Sequence, residues 1–93
     1  MCGIAGEIRF DGQPIDLDAV ARMSKVLRPR GPDGDGIWQN GRIALAHRRL
    51  SIIDLSAAGA QPMTDPALRL ATVFNGCIYN YRELRDELRA AGY

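Results

Sequence analysis

The dipeptide Asn40-Gly41 lies between two apolar stretches, Ile37-Trp38 and the segment 43–46. Asn-Gly readily adopts the positive φ angles that a type I′ turn requires. Short apolar runs on both sides of such a turn are typical of paired strands. We therefore predict a β-hairpin here. Because a hairpin forces its two strands to run in opposite directions, the fold must contain an antiparallel sheet.

The first thirty-six residues predict a strand, a helix and a loop. Residues 2–10 alternate apolar and polar side chains with a period near two, which is typical of a strand. From Asp16, a plausible N-cap, the apolar spacing becomes helical, and Pro29 should end the helix. Residues 30–36 contain three glycines and a proline, so we expect a loop there.

The second half of the chain predicts a long loop, a strand and a helix. Residues 54–68 show neither period and carry two prolines, whereas residues 70–74 favour a strand. Asn80 and Glu83 fit a capping box at the start of a helix that Gly92 would close. Together, the elements indicate an α+β fold with a largely antiparallel sheet.

Length and composition restrict the class of protein. The 93 residues carry a net charge of +1 with mixed signs, which disfavours nucleic-acid binding. No apolar run approaches the roughly 20 residues that a membrane helix needs. Two cysteines and no signal peptide favour the cytoplasm. A core this small is marginal by itself, so we expect the chain to be an incomplete domain, with no second domain within it.

Cys2 would become the first residue if Met1 were removed, and it would then carry both a thiol and a free α-amine. An α-amine is partly unprotonated near neutral pH and can accept the proton of the thiol. Cys2 is thus a candidate nucleophile for attack on a carbonyl carbon. The alternative is a small, buried cysteine without chemistry, which is the commoner situation for a free cysteine.

Three further positions could complete such a site. Asn75-Gly76 could donate a side-chain amide and a backbone N–H to a tetrahedral oxyanion, although Asn-Gly is also a common turn. Arg49 could bind a substrate carboxylate through two N–H groups, or it could be a solvated surface residue. His47 fits no triad or metal cluster, so we interpret it as structural and predict no metal site.

Five ordered segments of the chain carry a family resemblance. They are Met1-Cys-Gly-Ile, Arg30-Gly-Pro-Asp, His47-Arg-Arg-Leu-Ser-Ile-Ile-Asp-Leu-Ser, Gly59-Ala-Gln-Pro-Met and Phe74-Asn-Gly-Cys-Ile-Tyr-Asn-Tyr-Arg-Glu-Leu. The chain thereby resembles the N-terminal glutaminase domains of glutamine-hydrolysing asparagine synthetases. These are class II glutamine amidotransferases with the four-layer αββα sandwich of N-terminal-nucleophile hydrolases, of which this chain would be a part.

The resemblance implies roles for individual residues. Cys2 would attack the side-chain amide of glutamine, and Asn75 and Gly76 would form the oxyanion hole. Arg49 would bind the α-carboxylate of glutamine, with the backbone of Ile53 nearby. No cofactor is implied for this segment. The ammonia would pass to a C-terminal synthetase domain that uses ATP and magnesium, and a homodimer is one assembly consistent with the family.

Cys77 departs from the family pattern, which usually has a glutamate that meets the ammonium group of glutamine. A neutral thiol cannot replace that charge, and the loss of one charged hydrogen-bond partner costs about 1.5–3 kcal/mol. The surroundings of Cys77 are similar to those in a close branch, the N-acetylglutaminylglutamine amidotransferases. Two alternatives therefore stand beside asparagine synthesis: membership of that branch, and an inactive fragment with a binding or regulatory role.

Overall fold

The computed structural model describes all residues from 1 to 93. Its strands are β1 (Gly3–Ile8), β2 (Gly34–Asn40), β3 (Ile43–Arg49), β4 (Met63–Asp65) and β5 (Leu70–Thr72). Its helices are α1 (Leu17–Val26) and α2 (Tyr81–Ala90), and short 3₁₀ turns cover Arg28–Arg30 and Ala57–Gly59. The strands form a three-stranded sheet with the order β1-β3-β2 and a two-stranded sheet of β4 and β5, both antiparallel. The predicted α+β class with antiparallel sheets is confirmed.

The hairpin of β2 and β3 is confirmed, but its turn differs from the prediction. Asn40 pairs with Ile43, so the two central residues of the turn are Gly41 and Arg42. Gly41 has a φ of 57°, whereas neither Asn40 nor Arg42 has a positive φ. A positive φ at the first central position alone is the pattern of a type II′ turn, not of type I′.

The prediction of a loop over residues 30–36 is wrong at its end, because β2 already begins at Gly34. Gly36 pairs with His47 in the register of β2 and β3. A side chain at Gly36 would collide with the backbone of Gln61. The glycine at this position therefore allows a second segment to lie directly on the sheet, rather than interrupting the strand.

Helix α1 covers one face of the larger sheet. Val20 is fully buried against Ala44 and Ala46 of β3, with Ala5 and Ile15 packed beside them. The predicted N-cap is confirmed, since the Asp16 carboxylate accepts a hydrogen bond from the Ala19 N–H at 2.9 Å. Side chains alternate along a strand, so residues 45, 47 and 49 of β3 point to the opposite face, where the site lies.

The chain after β3 is less regular than the sheet. The segment 54–68, predicted to be a loop, contains the second 3₁₀ turn and β4. Helix α2 begins after Asn80, but the Asn80 side chain makes no capping hydrogen bond, so the predicted capping box is wrong. Gly92 ends the helix with a φ of 93°, as predicted. Neither helix is long and apolar enough to cross a membrane.

Candidate active site

Cys2 lies just before β1, beside the end of β3. Its half-buried Sγ accepts a hydrogen bond from the Leu50 N–H at 3.3 Å and lies 3.7 Å from the Leu50 carbonyl oxygen. The Cys2 carbonyl accepts a hydrogen bond from Nε of Arg30 at 3.3 Å. The pairing of β1 with β3 thus holds the sulfur next to the chain that leaves β3.

A cleft of about 620 Å³ opens beside this sulfur. All six residues that the sequence assigned to the site line it, namely Cys2, Arg49, Ile53, Asn75, Gly76 and Cys77. They come from segments far apart in the chain, which the fold has brought to one place. A cleft that joins a thiol, a guanidinium and an Asn-Gly pair is the arrangement that the chemistry predicted from the sequence requires.

Arg49 is the last residue of β3, and its guanidinium is held by the loop that follows. Nη1 donates to the Ser56 carbonyl at 2.6 Å, and Nη2 donates to the Asp54 carbonyl. A guanidinium has five N–H groups, so these two bonds orient it while leaving further donors for a ligand. Arg49 forms no salt bridge in this structure, which leaves its charge available to an anionic substrate.

The negative charge of the cleft comes from one side chain. Asp54 is the only acidic residue among those that line it. Hydrogen bonds from Ser56, and then the positive charge of Arg49, lower the pKa of Asp54 below its ordinary value, so this carboxylate is ionised at neutral pH. Cys77 is exposed and also lines the cleft.

His47 of β3 lines the cleft together with Cys2. It is 1% exposed, and neither ring nitrogen makes a hydrogen bond. Burial lowers its pKa below the ordinary value; the nearby backbone of Phe74 opposes this shift, and the charge of Arg49 adds to it. The imidazole is therefore neutral at neutral pH. The interpretation of His47 as structural was incomplete, because it also lines the cleft.

Gln61 was missed in the sequence as a residue of the site. It lines the cleft and forms two hydrogen bonds with the backbone of Phe74, the residue before Asn75. Its position in the Gly59-Ala-Gln-Pro-Met segment gave no indication of this long-range contact. No group of three or more His, Cys, Asp or Glu side chains is arranged to hold a metal ion.

Comparison with known proteins identifies the family of this chain. The model of the glutamine amidotransferase domain matches residues 1–93. The chain is 36% identical to "Asparagine synthetase [glutamine-hydrolyzing] 3" of Bacillus subtilis over 96 residues, covering 100% of this chain and 16% of that protein. It is 40% identical to asparagine synthetase B of Escherichia coli over 88 residues, covering 94% of this chain and 16% of that protein.

A plant relative gives the same result. "Asparagine synthetase [glutamine-hydrolyzing] 1" of Arabidopsis thaliana is 41% identical over 90 residues, with 96% of this chain and 15% of the relative covered. No solved structure matches the chain significantly. The chain thus spans about a sixth of the length of these curated relatives. On this evidence, the chain belongs to the glutamine amidotransferase domain family.

Proposed function

We propose that this chain is the N-terminal part of a glutaminase domain that hydrolyses the side-chain amide of glutamine and supplies ammonia to a synthetase domain. The observation that carries this proposal is the cleft that Cys2 shares with Arg49, Asn75 and Gly76. The names of the relatives, which describe glutamine-hydrolysing asparagine synthetases, support the substrate and the class of the final product.

The first half of the reaction requires Met1 to be removed. The α-amine of Cys2 then accepts the thiol proton, and the sulfur attacks the amide carbon of glutamine. The oxygen of the tetrahedral intermediate receives hydrogen bonds from the side-chain amide of Asn75 and the backbone N–H of Gly76. The ammonium of Cys2 returns the proton to the leaving nitrogen, the carbon–nitrogen bond breaks, and ammonia departs.

The second half regenerates the enzyme. A γ-glutamyl thioester on Cys2 remains after ammonia leaves. The free amine of Cys2 takes a proton from water, and the hydroxide attacks the thioester carbon, again with the oxyanion at Asn75 and Gly76. The carbon–sulfur bond then breaks, the ammonium of Cys2 returns its proton to the sulfur, and glutamate leaves the regenerated thiol and free amine. Arg49 holds the α-carboxylate of the substrate through both steps, so the reacting carbon stays within reach of the sulfur.

The remainder of the enzyme is also part of this proposal. A C-terminal synthetase domain would use ATP and magnesium to activate a carboxylate, which ammonia then attacks. This agrees with relatives that are several times longer than the chain. We place the protein in the cytoplasm, where a free thiol nucleophile stays reduced. A homodimer is part of the same proposal.

A glutamine-analogue diazoketone tests the proposal, because a thiol nucleophile displaces nitrogen from it and remains alkylated. We expect the full-length protein to lose glutaminase activity and to carry the adduct on an N-terminal Cys2 that lacks Met1. Cys77→Ser serves as the matched control, since it removes the other thiol of the cleft and should leave this adduct in place. An adduct on Cys77, no adduct at all, or a retained Met1 would contradict the proposal and favour an inactive fold with a binding role.

A further inference from the structure

The proposed oxyanion donors lie in a segment without regular structure. Asn75 and Gly76 fall between the end of β5 at Thr72 and the start of α2 at Tyr81, so no strand pairing or helix fixes them. Catalysis by oxyanion stabilisation depends on donors that are already in place before charge develops. Some other contact must therefore hold this segment against the rest of the cleft.

Gln61 provides such a contact. Its Oε1 accepts a hydrogen bond from the Phe74 N–H at 2.6 Å, and its Nε2 donates to the Phe74 carbonyl at 3.2 Å. One side-chain amide thus satisfies both backbone groups of the residue that precedes Asn75. A neighbouring strand would make the same pair of bonds, so Gln61 replaces a strand at a position where the second sheet has ended.

Both ends of this contact are connected to fixed parts of the molecule. On one side, the backbone of Gln61 lies so close to Gly36 of β2 that no side chain fits there. On the other side, the Phe74 ring packs on Gly76, where an added Cβ would lie 2.6 Å from the ring. A displacement of Phe74 would therefore move the proposed N–H donor of Gly76 as well.

We propose that Gln61 is a positioning residue that fixes the oxyanion-binding segment through its two hydrogen bonds to the backbone of Phe74. This inference rests on the proposed glutaminase function. Gln61 acts on the reaction only through Phe74 and its neighbours, and Arg49 binds the substrate carboxylate independently of it. Its loss should therefore weaken binding of the transition state more than binding of glutamine.

Two substitutions in the full-length enzyme test the inference. Gln61→Met keeps the length of the side chain and removes both hydrogen bonds, whereas Gln61→Glu keeps the acceptor for the Phe74 N–H and loses the donor. The control is Gln39→Met on β2, an exposed glutamine whose side chain makes no hydrogen bond. For each protein we would measure kcat and KM for glutamine, and amide hydrogen exchange at Phe74.

Binding of glutamate γ-semialdehyde adds a readout that a general loss of stability would not produce. Its aldehyde forms a tetrahedral hemithioacetal with the thiol, which needs the oxyanion donors. We expect Gln61→Met to lower kcat about 10–100-fold, with less than about a threefold change in KM, and to lose a similar factor in semialdehyde affinity. Gln61→Glu should lie between this variant and the wild type, and Gln39→Met should equal the wild type.

Two results would overturn the inference itself, and a third, distinguishable from both, would overturn the proposed function on which it rests. If the wild-type enzyme hydrolyses glutamine and Gln61→Met matches Gln39→Met in kcat, semialdehyde affinity and Phe74 exchange, Gln61 has no positioning role. A rise in KM at constant kcat would also refute it, since that result assigns Gln61 to substrate binding. If the wild-type enzyme does not hydrolyse glutamine, the proposed function itself fails, and the role of Gln61 fails with it.

Discussion

The cleft lies between two regions that are packed very differently. The first region consists of α1, the sheet of β1, β2 and β3, and the segment that joins α1 to β2, and all seven buried residues of the chain lie in it, between Gly3 and His47. The second region follows Arg49 and contains the short strands β4 and β5 and helix α2. It has no buried residue, and every residue of α2 is exposed. The proposed nucleophile, Cys2, and the guanidinium of Arg49 belong to the packed region, and the proposed oxyanion donors belong to the second region.

This difference shows how the two halves of the proposed chemistry are held. Cys2 and Arg49 take their positions from strand pairing, which is cooperative and resists local change. Asn75 and Gly76 depend on a few individual contacts, chiefly those of Gln61 with Phe74. Substitutions at the site should therefore change catalysis with little effect on the free energy of unfolding, whereas substitutions in the buried core should mainly lower that free energy.

The largest effect is expected for Cys2→Ala. The substitution removes the proposed nucleophile while leaving the β1–β3 pairing intact, so glutaminase activity should fall by at least about 10³-fold. The midpoint of urea unfolding should stay close to that of the wild type. Steady-state release of ammonia from glutamine measures the first quantity. Retention of more than a few per cent of activity would show that another group attacks the amide.

Asn75→Ala, in the second region, should rank next. Loss of one oxyanion donor costs about 10²–10³-fold in kcat. The free energy of unfolding, which depends mainly on the packed region, should stay close to the wild-type value. Ammonia release should show the loss in kcat, with KM for glutamine nearly unchanged. Urea unfolding provides the control, and a normal kcat would remove Asn75 from the oxyanion hole.

Cys77→Glu tests the departure from the family pattern. If Cys77 faces the ammonium group of glutamine, a new carboxylate there should lower KM about 10–100-fold, because a charged hydrogen bond contributes about 1.5–3 kcal/mol. Cys77→Gln is the uncharged control and should leave KM near the wild-type value. An unchanged KM in Cys77→Glu would place the ammonium group elsewhere, with Asp54 as the remaining carboxylate of the cleft.

A matched pair of apolar truncations compares the stabilities of the two regions. Val20 of α1 is fully buried against β3, whereas Leu88 of α2 is 53% exposed. Val20→Ala should lower the free energy of unfolding by about 2 kcal/mol, and Leu88→Ala should lower it by less than about 0.5 kcal/mol. Urea denaturation measures both, and equal losses would show that α2 is packed against other parts of the protein.

The smallest expected effect is a pH dependence of stability from His47. Burial depresses its pKa in the folded state, so the unfolded chain binds a proton first as pH falls below about 6.5. The contribution of neutral His47 to the free energy of unfolding is then fully present above that pH. Below it, the free energy of unfolding decreases by at most about 1.4 kcal/mol per pH unit. Asp33, Asp35 and Arg49 line the small cavity beside the ring.

His47→Gln removes this titration and serves as the comparison. Urea unfolding between pH 7.5 and pH 5.5 should show a downward slope for the wild type and a flatter one for the variant. Carboxylates with ordinary pKa values titrate mainly below this window. Identical slopes would show that His47 becomes protonated in the folded protein as easily as in the unfolded chain.

The sequence predicted the parts of the fold that depend on local chemistry. Helix α1, its Asp16 cap and the hairpin around Gly41 follow from apolar spacing and turn residues, and the structure contains all three. The loop predicted over residues 30–36 was wrong at its end, because Gly36 lies within β2 and its lack of a side chain lets Gln61 approach the sheet. Such an approach between distant segments leaves no periodic pattern in the sequence.

The candidate site was predictable to a different extent. All six residues proposed from side-chain chemistry and the resemblance line the cleft, whereas the places of Gln61 and His47 in it required the structure. Gln61 contacts a residue thirteen positions away through its side chain alone. His47 pairs with Gly36 in the register of β2 and β3, on the cleft face of β3. One isolated histidine in the sequence does not reveal which face of the sheet its side chain occupies, so this position required the strand register.

Isolation of the covalent intermediate tests the central claim most directly. The full-length enzyme would be mixed with glutamine, quenched in acid during turnover, digested and analysed by mass spectrometry. We predict a γ-glutamyl thioester on the sulfur of an N-terminal Cys2, absent from Cys2→Ala. A glutamyl group on any other residue, or turnover without a covalent intermediate on Cys2, would contradict the account.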